Sequence, residues 1–265
     1  MSRVLAQLIA DVKIPIQSAP WVSLFLDFDG TLVPIAPDPM EPHLNAITTE
    51  ALKLIASQEF LTIIIISGRA VEDLYGRIRL DGLIYAGNYG LEIFGRNLRF
   101  VEPLAWSRRE QLQNLCAELG AELSRVSGVF VEYKGLTGSV HYRQAAQTDI
   151  PAVCAVVRSA VARHNGLFRI SGGRKVLEIV PRTGWNKGSA ARWINSHLNN
   201  TPGLSIYVGD DTSDEAAFRA LPDAITIKVG TEPMTGARYR LPDPQAVQEF
   251  LVWLSARETS RTGRA

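Results

Sequence analysis

The sequence predicts an α/β protein, with a Rossmann-like core built on a parallel sheet and a smaller α+β domain inserted into that core. Short apolar runs alternate with helical patterns in the first hundred residues and again after Pro181, an order typical of parallel sheets. Between these parts the order is helix, strand, strand, helix, strand, strand, which is typical of a small antiparallel α+β unit. We therefore expect residues 1–103 and 181–265 to form the core and residues 104–180 to form the inserted domain.

In the first part of the core, each predicted element follows from its residue pattern. Four prolines between residues 34 and 42 forbid regular structure just past the first strand. The runs 91–94 and 98–101 flank Gly95-Arg96-Asn97 and predict a hairpin. Apolar residues at the helical period predict helices, and short runs rich in β-branched or other large apolar residues predict strands. These helices are expected at 1–13, 43–58 and 71–75, and these strands at 23–27, 61–66 and 83–86.

The inserted domain and the second part of the core are predicted in the same way. Alternation along the inserted strands leaves one face of their sheet free of helices. The tail from residue 257, rich in Ser, Thr, Gly and Arg, is expected to be disordered. In the inserted domain we expect helices at 106–123 and 150–164 and strands at 129–134, 139–143, 168–171 and 176–180. In the core we expect a helix opening at 183 and running to 198, a strand at 204–208, a helix at 215–220, a strand at 224–229 and a helix at 243–254.

The composition is that of an ordinary globular protein, with 265 residues, 46% of them hydrophobic and 21% charged. The net charge of +1 does not suggest a nucleic acid or an anionic membrane as a main partner. No apolar run is long enough to span a bilayer, and the N-terminal helix lacks the apolar core of a signal peptide. Cys116 and Cys154 have apolar neighbours, which favours free thiols over a disulfide or a metal site. We expect a cytoplasmic monomer.

Two carboxylates follow the first predicted strand. Its apolar run ends in Asp27, and Asp29 lies two positions further on, ahead of Gly30 and Thr31. Taken alone, the pair could cap a helix or form a turn, because Asp-Gly is common in turns. Two close carboxylates repel, and burial penalises both charges, so that a cation would stabilise them. Since open α/β sheets bind ligands at the carboxyl ends of their strands, this stretch is a candidate site.

Further polar groups can converge with this pair, because the carboxyl ends of parallel strands share one edge of a sheet. Helix capping could explain Asp214, but it does not explain Asp210 and Asp211 directly after an apolar strand. For Lys187 alone a solvated helix lysine is favoured, and for Ser67 alone an ordinary turn. The acids together predict a hard cation with oxygen ligands, and Mg²⁺ fits. The residues expected to converge with Asp27 and Asp29 are Ser67, Gly68, Lys187, Asp210, Asp211 and Asp214.

The same edge of the sheet offers groups that bind phosphate. Ser67 and Thr31 supply hydroxyls, and Gly30 and Gly68 allow backbone N–H groups to form an anion nest. Lys187 adds a positive charge at the start of a helix, where the helix dipole also favours anions. A phosphate group held beside Mg²⁺ is therefore the predicted ligand chemistry.

Four motifs in chain order resemble those of the haloacid dehalogenase-like phosphohydrolase superfamily. They are residues 27–31, Ser67, Lys187 and residues 209–214. The inserted domain is similar to the larger α+β cap type of that superfamily. More narrowly, the chain resembles the trehalose-6-phosphate phosphatase family over roughly residues 20 to 255. Tyr89, where that family commonly has histidine, and Val180, where a basic residue is common, depart from its pattern. The stretches that carry the narrower resemblance are 65–69, 87–92, 173–181, 185–188 and 209–215.

The resemblance implies a Mg²⁺-dependent phosphatase that converts trehalose 6-phosphate to trehalose and phosphate through an aspartyl-phosphate intermediate. Asp27 would be the nucleophile and Asp29 the general acid and base. The metal would be held by Asp27, the backbone carbonyl of Asp29, and Asp210. The phosphoryl group would be held by Ser67 and Lys187. The remaining acids of the motifs would orient metal-bound waters or Lys187, and they are Asp211 and Asp214.

The sugar is less closely specified than the phosphate, since trehalose offers only hydroxyl groups to a cap domain. The resemblance favours Lys175 and Glu178, although a spacing of three residues puts them on opposite faces of a strand unless Lys175 lies in the turn at Gly172-Gly173. A surface salt bridge would explain Arg143 equally well, and Glu132 and Lys134 could be either structural or functional. The candidate sugar contacts are Arg69, Asn88, Arg143, Lys175 and Glu178.

Other functions are compatible with the same motifs. The nearest is a phosphatase for another sugar phosphate, such as the phosphates of sucrose, glucosylglycerol or mannosylglycerate. A phosphomutase would need a returning phosphoryl donor, which nothing in the sequence requires. A non-catalytic sugar-phosphate sensor on the same fold is disfavoured because Asp27, Asp29, Lys187 and Asp210 are all intact.

Overall fold

The computed structural model describes residues 2–36, 42–173, 175–198 and 203–256, and the predicted tail from residue 257 lies outside these ranges. The helices are α1 (Arg3–Ser18), α2 (Ala46–Ala56), α3 (Val71–Ile78), α4 (Pro103–Ser107), α5 (Arg109–Leu123), α6 (Ile150–Ala162), α7 (Lys187–Leu198), α8 (Glu215–Ala220) and α9 (Pro244–Ser255). The strands are β1 (Val22–Leu26), β2 (Leu61–Ile66), β3 (Ile84–Gly87), β4 (Glu92–Gly95), β5 (Leu98–Val101), β6 (Phe130–Tyr133), β7 (Gly138–His141), β8 (Phe168–Gly173), β9 (Val176–Pro181), β10 (Leu204–Gly209), β11 (Ile225–Val229) and β12 (Tyr239–Leu241).

The core is one sheet of eight strands in the order β12-β11-β10-β1-β2-β3-β4-β5. The six strands from β12 to β3 run parallel, while the β4–β5 hairpin adds two antiparallel strands at one edge. Parallel strands with helices on both faces bury every residue, and all five residues of β1 and all six of β2 are buried. The predicted α/β class is confirmed.

Helices cover both faces of this sheet because side chains alternate along each strand. In β1, Leu24 and Leu26 pack into a cluster with α1, α2, α3 and α9. Phe25 packs on the other face with α7 and α8, where its ring stacks on Tyr207 at 5.8 Å. This central strand, fixed from two sides, holds the residues that follow it.

A second sheet of four antiparallel strands, in the order β6-β7-β9-β8, carries α5 and α6 on one face. Along β7, Val140 points into the apolar cluster with these helices, whereas Ser139 and His141 point to the opposite face. On the neighbouring strand β9, Leu177 packs inward and Glu178 points with Ser139. The helix-free face is therefore polar, and we propose that residues 104–180 form a cap whose polar face is turned toward the core.

Several elements differ from the expectation from sequence, and α7, for example, begins at Lys187 instead of residue 183. Helix α1 continues to Ser18, five residues past the predicted end. Residues 103–107 form the short helix α4, which Pro103 opens at its first turn, where the missing N–H of proline carries no cost. Strand β12 was not predicted, since its three residues are too few to show a periodic pattern, but it pairs with β11 at the sheet edge.

Among the helices that the structure describes, none is both long enough and apolar enough to cross a membrane.

Candidate active site

The carboxyl ends of β1, β2 and β10 meet at one edge of the core sheet. β1 lies between the other two, and the backbone N–H of Asp27 continues the ladder by donating to the carbonyl of Val208 at 3.0 Å. Asp27, Ser67 and Asp210 are thereby brought to the floor of a cavity of about 360 Å³. The roof of the cavity is the polar face of the second sheet. Residues predicted from distant parts of the sequence thus line one space.

A buried lysine joins two carboxylates at the cavity floor. Lys187 is the first residue of α7, which Asn186 caps by accepting the N–H of Ser189 at 3.1 Å. Its Nζ lies 2.8 Å from Asp27 Oδ1 and 2.8 Å from Asp214 Oδ1. The lysine side chain is 2% exposed. Lys187 is therefore an internal counter-ion and not a solvated surface lysine.

The charges of this cluster shift one another's protonation. Burial raises the pKa of Asp27 well above its ordinary value of 3.8, and the charges of Asp214 and Asp210 add to the rise while Lys187 opposes it. Burial alone would lower the pKa of Lys187, but the two carboxylates overcome it and raise that pKa. The lysine is therefore held cationic beside the candidate nucleophile.

Asp214 is a fixed part of this arrangement. Its Oδ1 accepts a hydrogen bond from the hydroxyl of Tyr207 at 2.9 Å as well as from Lys187, and its Oδ2 accepts the backbone N–H of Asp211 at 2.9 Å. These contacts engage both oxygens of a carboxylate that is fully buried. The structure thus places Asp214 in direct contact with Lys187, and the expectation that it orients this lysine stays a prediction. Asp211 itself lines the cavity.

The acids fit a small divalent cation. Carboxylate oxygens of Asp27, Asp210 and Asp214 lie within 4.8 Å of one another, and all three residues are buried. Burial, followed by the charge of Asp214, raises the pKa of Asp210 to about 6. Oxygen donors with excess negative charge are what Mg²⁺ prefers, and a cation there would restore the charged form of Asp210. The chemistry of these residues therefore suits the predicted metal.

Gly30 has no side chain, and this leaves the space that Asp210 occupies. Its φ is +84°, and a Cβ added there would lie 2.2 Å from Asp210 Oδ2. Its N–H, which we expected to face a phosphate, instead donates to the carbonyl of Val33 at 2.7 Å. The structure thus brings Gly30 against the acid cluster but does not present its amide to the cavity, because the chain turns back on itself after Asp29.

Of the other predicted phosphate contacts, Ser67 and Gly68 line the cavity, whereas Thr31 lies beside Asp27 without lining it. The hydroxyl of Thr31 is 3.5 Å from Asp27 Oδ2, and Ser67 is buried at the end of β2. Gly68 lines the cavity, and a Cβ added there would meet the ring of Tyr89 at 2.7 Å. Tyr89 is itself a cavity residue, and burial raises the pKa of its hydroxyl well above 10.0. At this position, singled out in the sequence as a departure from the family pattern, the structure therefore places a neutral phenol.

On the roof, Glu178 is held by two neighbours. Ser139 donates to its carboxylate at 2.9 Å, and Lys134 Nζ lies 2.9 Å from Glu178 Oε2. Lys134 also donates to the backbone carbonyl of Gly68 at 2.9 Å, so it connects the roof to the loop that follows β2. Lys175 lies at the β8–β9 turn with φ +63°, which brings it to the cavity that Glu178 lines. Lys175 thus lies in a turn, as its approach to the ligand of Glu178 requires, but Gly172 and Gly173, where we expected the turn, are paired within β8.

Lys134 and Glu132, for which the sequence left a structural and a functional role open, both line the cavity. Glu132 is paired with His141 at 2.9 Å, which lowers the pKa of the glutamate. Their spacing of two residues indicated one strand face, but only the position of the second sheet over the core shows that this face lines the cavity.

Asn88 and Arg143 hold the two parts of the molecule together. Asn88 is buried, its amide donates to Glu92 at 2.8 Å and to the carbonyl of Lys134 at 3.0 Å, and its Oδ1 accepts from Thr137. It does not line the cavity. Arg143 does line it, and its guanidinium donates to the backbone carbonyl of Ala36.

The chain was compared with known proteins. The model of the trehalose-phosphatase family matches residues 25–245. A protein named trehalose-phosphate phosphatase from Mycobacterium ulcerans (strain Agy99) is 36% identical over 242 residues, which cover 88% of this chain and 61% of that protein. The chain thus spans about three fifths of the length of such relatives.

Solved structures with related names share the fold. The C-terminal domain of trehalose-6-phosphate phosphatase from C. albicans superimposes with a TM-score of 0.79 at 19% identity, covering 95% of this chain and 96% of that one. A trehalose-6-phosphate phosphatase related protein has a TM-score of 0.78 at 24% identity, covering 88% of this chain and 96% of that one. At these identities the likeness concerns the architecture.

Proposed function

Because the chain belongs to the trehalose-phosphatase family, we propose that it hydrolyses trehalose 6-phosphate to trehalose and inorganic phosphate. The observation that carries this proposal is the buried Asp27–Lys187 pair at the floor of a cavity roofed by a polar sheet face. A carboxylate held by a buried lysine at the end of an apolar strand contributes nothing to strand packing. It suits a nucleophile whose charge and orientation are controlled.

In the first half of the reaction, the Asp27 carboxylate would form a bond to phosphorus. The bond between phosphorus and the sugar oxygen would break, and its electron pair would leave with that oxygen, which takes a proton from the Asp29 carboxyl group. Asp29 lies two residues after Asp27 and lines the same cavity. The products of this half are trehalose and a phosphorylated Asp27.

In the second half, the Asp29 carboxylate would remove a proton from water. The water oxygen would attack phosphorus, and the bond from phosphorus to Asp27 would break, returning its electrons to the carboxylate. Phosphate would then leave, and Asp29 would hold the proton needed for the next substrate. One residue therefore serves as acid and as base in the two halves.

Positioning and charge neutralisation dominate phosphoryl transfer, and the buried floor supplies both. Lys187 would face the phosphoryl oxygens with its Asp27 contact of 2.8 Å already in place. Ser67 would donate its hydroxyl from the same floor, next to Gly68. These groups converge without the help of the cap.

Mg²⁺ would be held by the carboxylates of Asp27 and Asp210 and by the backbone carbonyl of Asp29. When bound, it supplies positive charge that neutralises the phosphate and the buried acids. Asp214 and Tyr207 would keep Lys187 in position beside it. The raised pKa of Asp210 supports this set of ligands, because a buried acid with too few positive neighbours has an affinity for a cation.

The sugar would be bound by the roof. Glu178 and Lys134 form an ion pair with side-chain exposures of 9% and 8%, and Lys134 also contacts the loop that follows β2. Sugar hydroxyls both donate and accept, so an acid and a base side by side can each take part in hydrogen bonds with one ring. Lys175 and Arg143 at the cavity wall would extend these contacts. Water would be excluded when the sugar fills the space between roof and floor.

Phosphate release from a panel of substrates tests the proposal. The panel contains trehalose 6-phosphate, sucrose 6-phosphate, glucose 6-phosphate and the phosphates of glucosylglycerol and mannosylglycerate, each with Mg²⁺ and with a chelator. We expect kcat/KM to be highest for trehalose 6-phosphate and turnover to stop with the chelator. A higher kcat/KM for another sugar phosphate would overturn the substrate, and chelator-resistant turnover would overturn the metal.

A further inference from the structure

We propose that Arg69 is a positioning residue that holds the side chain of Asp29, and that it is not a contact of the sugar. This inference rests on the proposed function, because it takes Asp29 to be the acid and base of the reaction. It also changes the role that the sequence suggested for Arg69, which was substrate binding.

The geometry between the two side chains is specific. Arg69 Nε lies 2.6 Å from Asp29 Oδ2, and its Nη2 lies 2.7 Å from Asp29 Oδ1, so that two parallel hydrogen bonds join the guanidinium fork to the carboxylate. The guanidinium carbon also lies 5.6 Å from the ring centroid of Phe28. These contacts leave the Asp29 carboxylate one orientation, whereas a free aspartate has a broad range of χ2 angles.

The side chain of Arg69 is itself held by a second acid, Asp73. Its Nη1 donates to Asp73 Oδ2 at 2.8 Å, and the two oxygens of Asp73 also accept from Arg77 Nε at 2.8 and 2.9 Å. Arg77 then donates to the carbonyl of Pro42 at 2.9 Å. The spacing of four residues from Arg69 to Asp73 and from Asp73 to Arg77 places the three side chains along one side of α3, from just before its N-cap to its last turn.

The cation of Arg69 is already paired within the core, although its side chain lines the cavity together with that of Asp29. It is engaged by Asp29 and Asp73, whereas the roof acids Glu178 and Glu132 have their own basic partners, Lys134 and His141. The Arg69 side chain is 14% exposed and that of Asp29 is 34% exposed. Asp29 is therefore the more accessible of the two groups to a substrate, while the guanidinium of Arg69 is directed at two carboxylates of the core.

The two halves of the reaction depend on Asp29 differently, which gives a test. A sugar oxygen needs the proton of Asp29 to leave, but p-nitrophenolate leaves phosphorus without being protonated. Hydrolysis of the phosphorylated Asp27 needs Asp29 as base whichever substrate was used. If Arg69 holds Asp29, its loss must slow both halves with the sugar phosphate and only the second half with p-nitrophenyl phosphate.

Stopped-flow and steady-state kinetics of Arg69→Gln on both substrates measure this. We expect a burst of p-nitrophenol close to one per enzyme, followed by turnover about 10²-fold slower than wild type, in line with the size of general acid–base catalysis. With trehalose 6-phosphate we expect kcat about 10²-fold lower and KM changed less than about threefold. Asp73→Asn, which weakens the second ion pair of Arg69, should show the same pattern with turnover lowered about tenfold.

Arg79→Gln is the matched control, because Arg79 ends the same helix, is exposed, and donates to the carbonyl of Gly76 outside this network. It should behave as wild type. A KM for trehalose 6-phosphate raised tenfold or more in Arg69→Gln, with unchanged p-nitrophenol kinetics, would overturn the proposal in favour of sugar binding. If the rates of the p-nitrophenol burst and of the following turnover fall equally in Arg69→Gln, and the melting temperature falls as well, the proposal is overturned in favour of a purely structural role. Should wild type fail on trehalose 6-phosphate, the substrate proposal falls, while the p-nitrophenyl phosphate measurements still decide the role of Arg69.

Discussion

Replacing Lys187 by methionine should both destabilise the fold and stop turnover. The three side chains of the cluster are almost completely buried, with exposures of 2% for Lys187, 6% for Asp27 and 0% for Asp214. Methionine fills much of the same volume but leaves two carboxylates without their cation. Breaking a buried ion pair in this way costs about 3–5 kcal/mol. At about 2–4 °C per kcal/mol for a chain of this size, the melting temperature should fall by roughly 6–20 °C.

Thermal unfolding in the presence of a chelator, near neutral pH, measures this change without any contribution from a bound cation. The double variant Lys187→Met with Asp214→Asn should recover part of the lost stability, because one of the two stranded charges is removed, but it should remain inactive. Lys53→Met is a matched control, since Lys53 is 56% exposed and only loosely paired with Glu50. A melting temperature of Lys187→Met within about 1 °C of wild type would refute the reasoning that the lysine balances buried charge.

Three further predictions concern Gly30, Cys116 and Asp73. Gly30→Ala should destabilise by about 1–2 kcal/mol from its positive φ alone and lower turnover, because the new Cβ lies 2.2 Å from Asp210 Oδ2; urea unfolding and phosphate release check this. Burial raises the pKa of Cys116 to about 12, so thiol labelling near pH 8 should be fast at one cysteine at most until the protein unfolds. Burial alone would raise the pKa of Asp73, but Arg77 and Arg69 together lower it below 3.8; its contribution to stability is therefore present above pH 3.8 and is lost as the pH falls further. The stability gap between wild type and Asp73→Asn should accordingly be constant from about pH 7 to 5 and narrow below about pH 4 in urea unfolding, and a gap that widens there would contradict this sign.

The core could be predicted from the sequence because its strands are buried on both faces. A strand such as β2, with all six residues buried, reads as one apolar run, and the polar residue after it must then lie at the sheet edge. This is why Asp27, Ser67 and Asp210 could be expected to converge, and the structure brings them to one cavity floor. Strand β12 was not predicted, because its three residues are too few to show a sequence pattern and it is stabilised by pairing with β11.

The contacts between roof and floor could not be predicted, since they depend on how the two sheets face each other. Asn88 and Lys134 are 46 positions apart, and nothing local indicates that the amide of one meets the carbonyl of the other. The pairing of Arg69 with Asp29, 40 positions apart, is of the same kind. In both cases the sequence supplied a suitable polar residue, and the tertiary arrangement determined its partner.

Phosphate release by Asp27→Asn, compared with wild type on trehalose 6-phosphate in the presence of Mg²⁺, tests the central claim most directly. The amide keeps the size of the carboxylate and can still accept from Lys187 Nζ, which lies 2.8 Å from Asp27 in the native protein, but it cannot act as the nucleophile. We predict that wild type turns over this substrate and that the variant, folded as judged by its circular dichroism, shows no turnover above background. Turnover by the folded variant near the wild-type rate would contradict the mechanism at its first step.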